Sequence, residues 1–128
     1  MTNFLAIDGD DVGHKLEYYM LINDQWMLSQ FSTAYTKSMN WLEDKLRTNF
    51  NAKIIFIGGD NLLACLNVDE PDHLSENLEK LRLEFSKKAQ STLSMGIGKC
   101  PREAYLALKL AKASGKNCIR LYEEFPND

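Results

Sequence analysis

Two apolar runs of strand length, Lys53 to Ile57 and Leu62 to Asn67, flank Gly58-Gly59-Asp60-Asn61, and this interruption constrains the fold more than any other stretch. Paired glycines before Asp-Asn predict a tight hairpin, with glycine supplying the positive φ that such turns use. Upstream, Thr2 to Ile7 is a short apolar run ending at Asp8-Gly9-Asp10-Asp11. It reads as a buried strand that enters a polar turn, with a helix starting near Asp11. Val12, Leu16 and Tyr19 keep helical spacing up to Asn23-Asp24, which is a break or a new cap. A second helical stripe follows at Leu28, Phe31, Tyr35, Met39, Leu42 and Leu46 and stops at Asn49.

Beyond the hairpin, Pro71 opens a predicted helix with Leu74, Leu78, Leu81 and Phe85 on one face. Leu93, Met95 and Ile97 alternate with Thr92, Ser94 and Gly96, the pattern of a half-buried strand. Pro101 starts another helix with Ala104, Ala107, Leu108 and Ala111 on its buried side and Gly115 at the capping position. Asn117 to Tyr122 is the predicted closing strand. The order predicts one α+β domain over residues 1–128. The expected architecture is ferredoxin-like (RRM-like), an antiparallel sheet with split βαβ units, helices on one face and an extra C-terminal helix and strand.

Composition narrows the function. At 128 residues, 45% hydrophobic and 26% charged, the chain suits a single compact domain whose core needs no staple. Fifteen Lys plus Arg against eighteen Asp plus Glu give a net charge of −3, which argues against direct binding of duplex nucleic acid by counterion release. A small anionic ligand is still allowed. Cys65, Cys100 and Cys118 are odd in number and lack C-x-x-C spacing, so they read as small core residues. With no basic segment before the first apolar run and no window near ~20 apolar residues, the expectation is a cytoplasmic protein without a membrane span.

In a split βαβ sheet the first and second strands run parallel with the third inserted antiparallel between them. That brings Asp8-Gly9-Asp10-Asp11 and Gly58-Gly59-Asp60-Asn61 together at one sheet edge. Converging carboxylates repel unless a cation lies between them. Mg²⁺ suits the position, because it takes one or two carboxylates plus phosphates and waters. Taken singly, Asp10 and Asp11 could only cap a helix, and the glycine pair could only turn a hairpin.

Ile7-Asp8-Gly9-Asp10-Asp11-Val12-Gly13, Gly58-Gly59-Asp60-Asn61 and Ala111-Lys112-Ala113-Ser114-Gly115-Lys116-Asn117 resemble, in order and spacing, the GGDEF-like polymerase and cyclase palm. Within it they are similar to the minimal CRISPR polymerase domain (mCpol). The resemblance implies that Asp8, the Gly9 carbonyl and Asp60 hold two Mg²⁺ or Mn²⁺ ions, with Asp10 and Asp11 supporting them. It implies nucleotide contacts by Gly9, Gly13, Gly58 and Gly59, and triphosphate contacts by Lys112 and Lys116. The implied reaction is attack of one nucleotide's ribose hydroxyl on another's α-phosphorus.

The second acidic position of the family's catalytic turn is Asn61 here, which is neutral and cannot act as a base. The guanine-reading asparagine of diguanylate cyclases would align near Leu16, and their inhibition-site arginine and aspartate near Asn49 and Ala52. All are absent. Gly13 leaves open space beside the site, so the resemblance favours ATP over GTP as the triphosphate. Closing a cyclic dinucleotide takes two bonds, which implies a homodimer. Tyr18, Tyr19, Trp26 and Trp41 are candidates for its interface, with at least half of them expected in the core. The family resemblance further implies bacterial antiviral signalling through a separate effector protein that senses the product. A catalytically silent nucleotide-binding regulator is the alternative; an RRM-type RNA-binding sheet fits the topology but not the acidic charge.

Overall fold

The structure, a computed structural model, describes residues 2–68 and 73–122. The chain runs β1 (Thr2–Gly9), α1 (Val12–Leu21), α2 (Gln25–Asn49), β2 (Ala52–Ile57), β3 (Asn61–Asn67), α3 (Leu74–Ala89), β4 (Leu93–Gly98), α4 (Pro101–Ala113) and β5 (Ile119–Leu121). Pro71 lies outside the described residues. The closing strand is shorter than predicted, because Lys116 and Asn117 take positive φ (66° and 52°) in the turn leaving α4.

The strands stand in the order β2-β3-β1-β4-β5. β3 runs antiparallel between β1 and β2, β4 is antiparallel to β1, and β5 is parallel to β4. This is the α+β palm expected, and β1 lies inside the sheet rather than at its margin. Strand alternation then sorts the core. Leu5, Ile7, Leu62, Ala64, Leu66, Leu93, Met95 and Ile97 pack with Phe31, Leu42, Leu78 and Phe85 of α2 and α3.

The helices do not all share that face. A β-carbon added to Gly96 would lie 2.2 Å from the Leu108 nitrogen and 2.3 Å from the Ala104 oxygen, so the backbone of α4 rests directly on the opposite side of β4. Ala104, Ala107 and Ala111 are fully buried there. β4 is therefore buried throughout, not half-buried as its alternation suggested. Its small residues make room for a helix instead of facing water.

Local chemistry sets the boundaries. Asn23-Asp24 both ends one helix and starts the next. Asn23 takes φ 57° while the Asp24 N–H donates to the Tyr19 carbonyl at 2.9 Å, and the Asp24 carboxylate accepts from the Met27 N–H at 2.9 Å. Gly115, at φ 114°, closes α4 in the same way, with the Lys116 N–H donating to the Ala111 carbonyl at 3.0 Å. The hairpin differs from expectation, since neither Gly58 nor Gly59 takes the left-handed φ. The nearest atom to a β-carbon placed on Gly58 would be the Asn61 Oδ1, at 2.4 Å, the end of an exposed side chain that can turn away.

Tyr19 and Trp41 pack against the core, whereas Tyr18 and Trp26 are 58% and 68% exposed. Cys65, Cys100 and Cys118 are free thiols, only partly buried, at the margin of the core instead of inside it. Among the described residues no helix is long and apolar enough to cross a membrane.

Candidate active site

The end of β1 meets the hairpin turn through the backbone. The Gly9 N–H donates to the Asp60 carbonyl at 2.7 Å, and Asp8 stands opposite Asn61 in the ladder. Alternation sends Asp8 toward α4 and Gly9 toward α2. A β-carbon on Gly9 would lie 2.1 Å from the Tyr35 hydroxyl, so glycine is what lets α2 approach here.

Asp10 turns inward and is 4% exposed. Its Oδ1 accepts from Lys112 Nζ at 2.8 Å and Ser94 Oγ at 2.7 Å, and its Oδ2 accepts from Thr92 Oγ1 at 2.7 Å and the Asn117 N–H at 2.9 Å. Burial pushes this carboxyl up, yet the four hydrogen bonds outweigh it and hold its pKa below the usual range. Asp10 thus ties β4, α4 and the turn after α4 to β1. Neither it nor Asp11 caps α1: Asp11 occupies the N-cap at φ 60° without a side-chain cap bond and accepts from Lys116 Nζ at 2.5 Å. That bond, with the charge of Lys116, lowers the Asp11 pKa.

Lys112 reaches further into the site than a solvated helix end would. Its Nζ donates to the Gly9 carbonyl at 3.0 Å and lies 3.1 Å from Asp8 Oδ2, besides the bond to Asp10. Burial lowers its pKa, but the bonds to Asp10 and Asp8 outweigh this and the net shift is upward. Asp60 is the opposite case. Burial first, and then the charge of Asp8, push its carboxyl above the usual range. The Tyr35 hydroxyl behind Gly9 is buried without a hydrogen-bond partner among the described residues, and burial plus the charges of Asp60, Asp8 and Asp10 raise its pKa.

Two clefts adjoin these groups. One, of about 570 Å³, is lined by Asp8, Gly9, Asp11, Gly13, Asp60, Lys112 and Lys116 and faces the start of α1. The other, of about 310 Å³, runs from Gly13 and Gly59 past Leu16 to Ser32, Tyr35 and Thr36. No atom comes within 4 Å of a β-carbon placed on Gly13 or Gly59, so both border open space.

Asp8 to Asp11 and Gly13, the turn Gly58 to Asn61, and Lys112 and Lys116 thus fall in one neighbourhood. Sequence reasoning missed Thr92, Ser94 and the Asn117 N–H around Asp10, and Tyr35, which it assigned to the core. It also missed Arg82, 4% exposed on α3, which hydrogen-bonds Glu79 and the Asn117 side chain. A charged residue four positions after Leu78 on an apolar face was the available signal.

Fold and site together define a nucleotide-cyclase-like palm, with a Gly-Gly-Asp turn beside an aspartate at the end of an internal strand. The model of the minimal CRISPR polymerase domain (mCpol) matches residues 4–122, and the chain belongs to that family. Solved structures agree on the fold. The chain is similar to the active GGEEF domain of a diguanylate cyclase from Vibrio cholerae, with 18% identity, 97% of this chain and 84% of that one covered, and a TM-score of 0.67. For the GGDEF domain of DgcB from Caulobacter crescentus in complex with c-di-GMP the values are 15%, 96%, 78% and 0.65. For the Csm1-Csm4 cassette in complex with cA4 they are 17%, 92%, 20% and 0.65. No curated protein matches the chain.

Proposed function

We propose that this palm is a divalent-metal-dependent nucleotidyltransferase that builds a cyclic di- or oligonucleotide from nucleoside triphosphates, ATP being favoured, and releases pyrophosphate. It acts as a homodimer in bacterial antiviral signalling, and a separate effector protein senses its product. The observation that carries the reading is the convergence of Asp8 and Asp60, from distant segments, on one cleft, where the Gly9 N–H donates to the Asp60 carbonyl at 2.7 Å and Asp8 stands opposite Asn61.

The donor set fits a hard cation. Asp8 and Asp60 supply two carboxylates and Gly9 a carbonyl oxygen, and Mg²⁺ completes such a set with phosphates and waters. Among the described residues no cluster of three or more His, Cys, Asp or Glu side chains gathers, so waters and phosphate oxygens would fill the remaining positions. Bound by Asp8, Gly9 and Asp60, Mg²⁺ or Mn²⁺ would lower the pKa of the attacking hydroxyl and neutralise charge on the phosphates.

The chain's own residues supply the rest. The first-turn N–H groups of α1, uncapped by Asp11, face the larger cleft at the positive end of the helix dipole, a setting that binds phosphate. Lys112 and Lys116 add point charges for the triphosphate. The base enters the cleft of Leu16, Ser32 and Thr36, where among the described residues no side-chain amide stands to read guanine, in keeping with adenine. A ribose oxygen bonds to the α-phosphorus, the bond from that phosphorus to the bridging oxygen breaks, and the hydroxyl proton passes to solvent. Exposed Tyr18, Leu21 and Trp26 offer an apolar patch for a second copy.

A second reading, a silent nucleotide-binding regulator, is favoured by Asn61 and by the ammonium of Lys112, which Asp8 shares with Asp10. Incubation with Mg²⁺ or Mn²⁺ and each nucleoside triphosphate, with products identified by mass spectrometry, separates the two. Asp60→Ala should abolish product and leave the far-UV circular dichroism unchanged. If the wild-type chain releases no pyrophosphate from any triphosphate, the silent reading replaces the first.

A further inference from the structure

Arg82 is the charged residue on the buried face of α3, 4% exposed on the same side of the helix as Leu78, Leu81 and Phe85. An apolar side chain would fill such a position at lower cost, because a buried cation has to be fully paired. Glu79, one turn earlier, takes two arms of the guanidinium, Nε at 3.0 Å and Nη2. That ion pair alone neutralises it. The third arm crosses to another element: Nη1 donates to the side-chain oxygen of Asn117, 35 positions further on, in the turn that leaves α4.

That turn is held in an unusual shape. Gly115, Lys116 and Asn117 follow one another at φ 114°, 66° and 52°, a region that glycine and asparagine enter far more readily than lysine. Asn117 anchors it twice. Its N–H donates to Asp10 Oδ2 at 2.9 Å and Ser94 Oγ at 3.1 Å, and its side chain is held by Arg82. Lys116, the residue before it, sends its ammonium to Asp11 Oδ1 at 2.5 Å, on the cleft lined by Gly9, Gly13 and Asp60. The Lys116 side chain is 42% exposed, so the backbone that carries it sets its aim.

We infer that Arg82 is a positioning residue for triphosphate binding: by clamping the Asn117 side chain it holds the turn in the shape that aims the Lys116 ammonium into the cleft. The inference rests on the transferase reading above, which puts a triphosphate there. Lys112 depends on the clamp far less, since Asp10 keeps its bonds from Lys112, Ser94 and Thr92 without Asn117. Through Arg82, α3 takes part in a cleft to which it lends no lining residue among the described ones. Arginine suits the task because its rigid fork spans Glu79 and Asn117 at once, whereas the compact ammonium of lysine does not.

The test is a binding cycle on the full chain, by calorimetric titration with α,β-methylene-ATP, a non-cleavable triphosphate, and Mg²⁺. Wild type, Lys116→Ala, Arg82→Met and Asn117→Gly are compared with the two double variants that carry Lys116→Ala. Asn117→Gly suits the positive φ and keeps the main-chain donor, so it removes only the acceptor for Arg82. Arg82→Met leaves Glu79, whose side chain is 41% exposed, free to hydrate. Each single variant should weaken binding roughly ten- to a hundredfold, the loss of one charge-assisted hydrogen bond. Neither double variant should bind more weakly than Lys116→Ala alone, and Arg82→Lys should lie between Arg82→Met and wild type. Urea titration checks that each variant is folded, and Asn117→Gly decides the matter if Arg82→Met is not. Wild-type affinity in Lys116→Ala or Asn117→Gly overturns the inference. So does a loss that recurs in full in the Lys116→Ala background, which a merely disturbed core would produce. If the cycle fails while the wild type releases pyrophosphate from a triphosphate, only the inference falls; if the wild type does not bind the analogue, the transferase reading falls with it.

Discussion

Replacing Asp10 by asparagine preserves the shape of the side chain and turns one oxygen into an NH₂ group. Two of the four donors around Asp10 cannot reverse their role, the Lys112 ammonium on Oδ1 and the Asn117 N–H on Oδ2. They lie on different oxygens, so either orientation of the amide sets NH₂ against a fixed donor. Removing one partner of a buried ion pair costs about 3–5 kcal/mol, out of a total stability of about 5–15 kcal/mol. The Lys112 side chain is 23% exposed and can rehydrate in part, which places the expected loss near the lower figure. With an unfolding entropy of about 2.1 cal/mol/K per residue, the melting temperature should fall by roughly 10–20 °C. Scanning calorimetry and urea titration at pH 7 measure it, with Ser94→Ala as a control that removes one neutral donor and costs about 1 kcal/mol. Because the folded pKa of Asp10 is lowered, its stabilisation is complete above the unfolded value of about 3.9 and is lost only as pH falls through the folded value below it. The gap between wild type and variant should therefore stay level from pH 7 to pH 5. A fall of less than about 4 °C, or one equal to that of Ser94→Ala, would refute the reasoning.

Gly96→Ala should cost about 1–3 kcal/mol or more, because the added methyl meets the α4 backbone, which cannot swing aside; a neutral result in urea titration would place α4 elsewhere. Tyr35→Phe should stabilise the protein by about 1 kcal/mol, since its buried hydroxyl lacks a partner among the described residues, and a loss in calorimetry would show that the hydroxyl is bonded. Asp60→Asn should raise the melting temperature of metal-free protein at pH 7 and weaken Mn²⁺ binding in a paramagnetic resonance titration. The folded pKa of Asp60 is raised, so stability falls as pH rises from its unfolded toward its folded value, and the gain from asparagine should shrink as the solution is acidified. An unchanged Mn²⁺ affinity counts against Asp60 as a ligand.

Hydrophobic periodicity made the element order legible. The stripe from Phe31 to Leu46 and the alternation through Leu93, Met95 and Ile97 each correspond to an element that packs on the main core. The same alternation could not reveal α4 on the far face, because Ser94, Gly96 and Gly98 look alike whether they meet water or a helix backbone. Asp8 and Asp60 converge by topology, so a reading of strand order sufficed to bring them together. The partners of Asp10 come from Thr92, Ser94, Lys112 and Asn117, which share no spacing that a sequence pattern could expose. The glycine pair marked the hairpin correctly although neither glycine takes the left-handed φ that the turn was expected to use.

The alternation of β1 explains why so much chemistry collects at its end. Asp8 is sent to the α4 side, Gly9 to the α2 side, and Asp10, just past the strand, turns back into the sheet. Charge is divided accordingly. Lys112 and Lys116 bond to Asp10 and Asp11, whereas Asp60 accepts from neither, and Asp8 has only a share of Lys112. Four carboxylates against two ammonium groups leave an excess of two negative charges, and it falls on Asp8 and Asp60, which line one cleft. Glu17, further along α1, adds charge of the same sign. Burial and the charge of Asp8 push the Asp60 carboxyl up, so the excess costs stability in the metal-free chain. The sign and size of that excess suit a divalent cation.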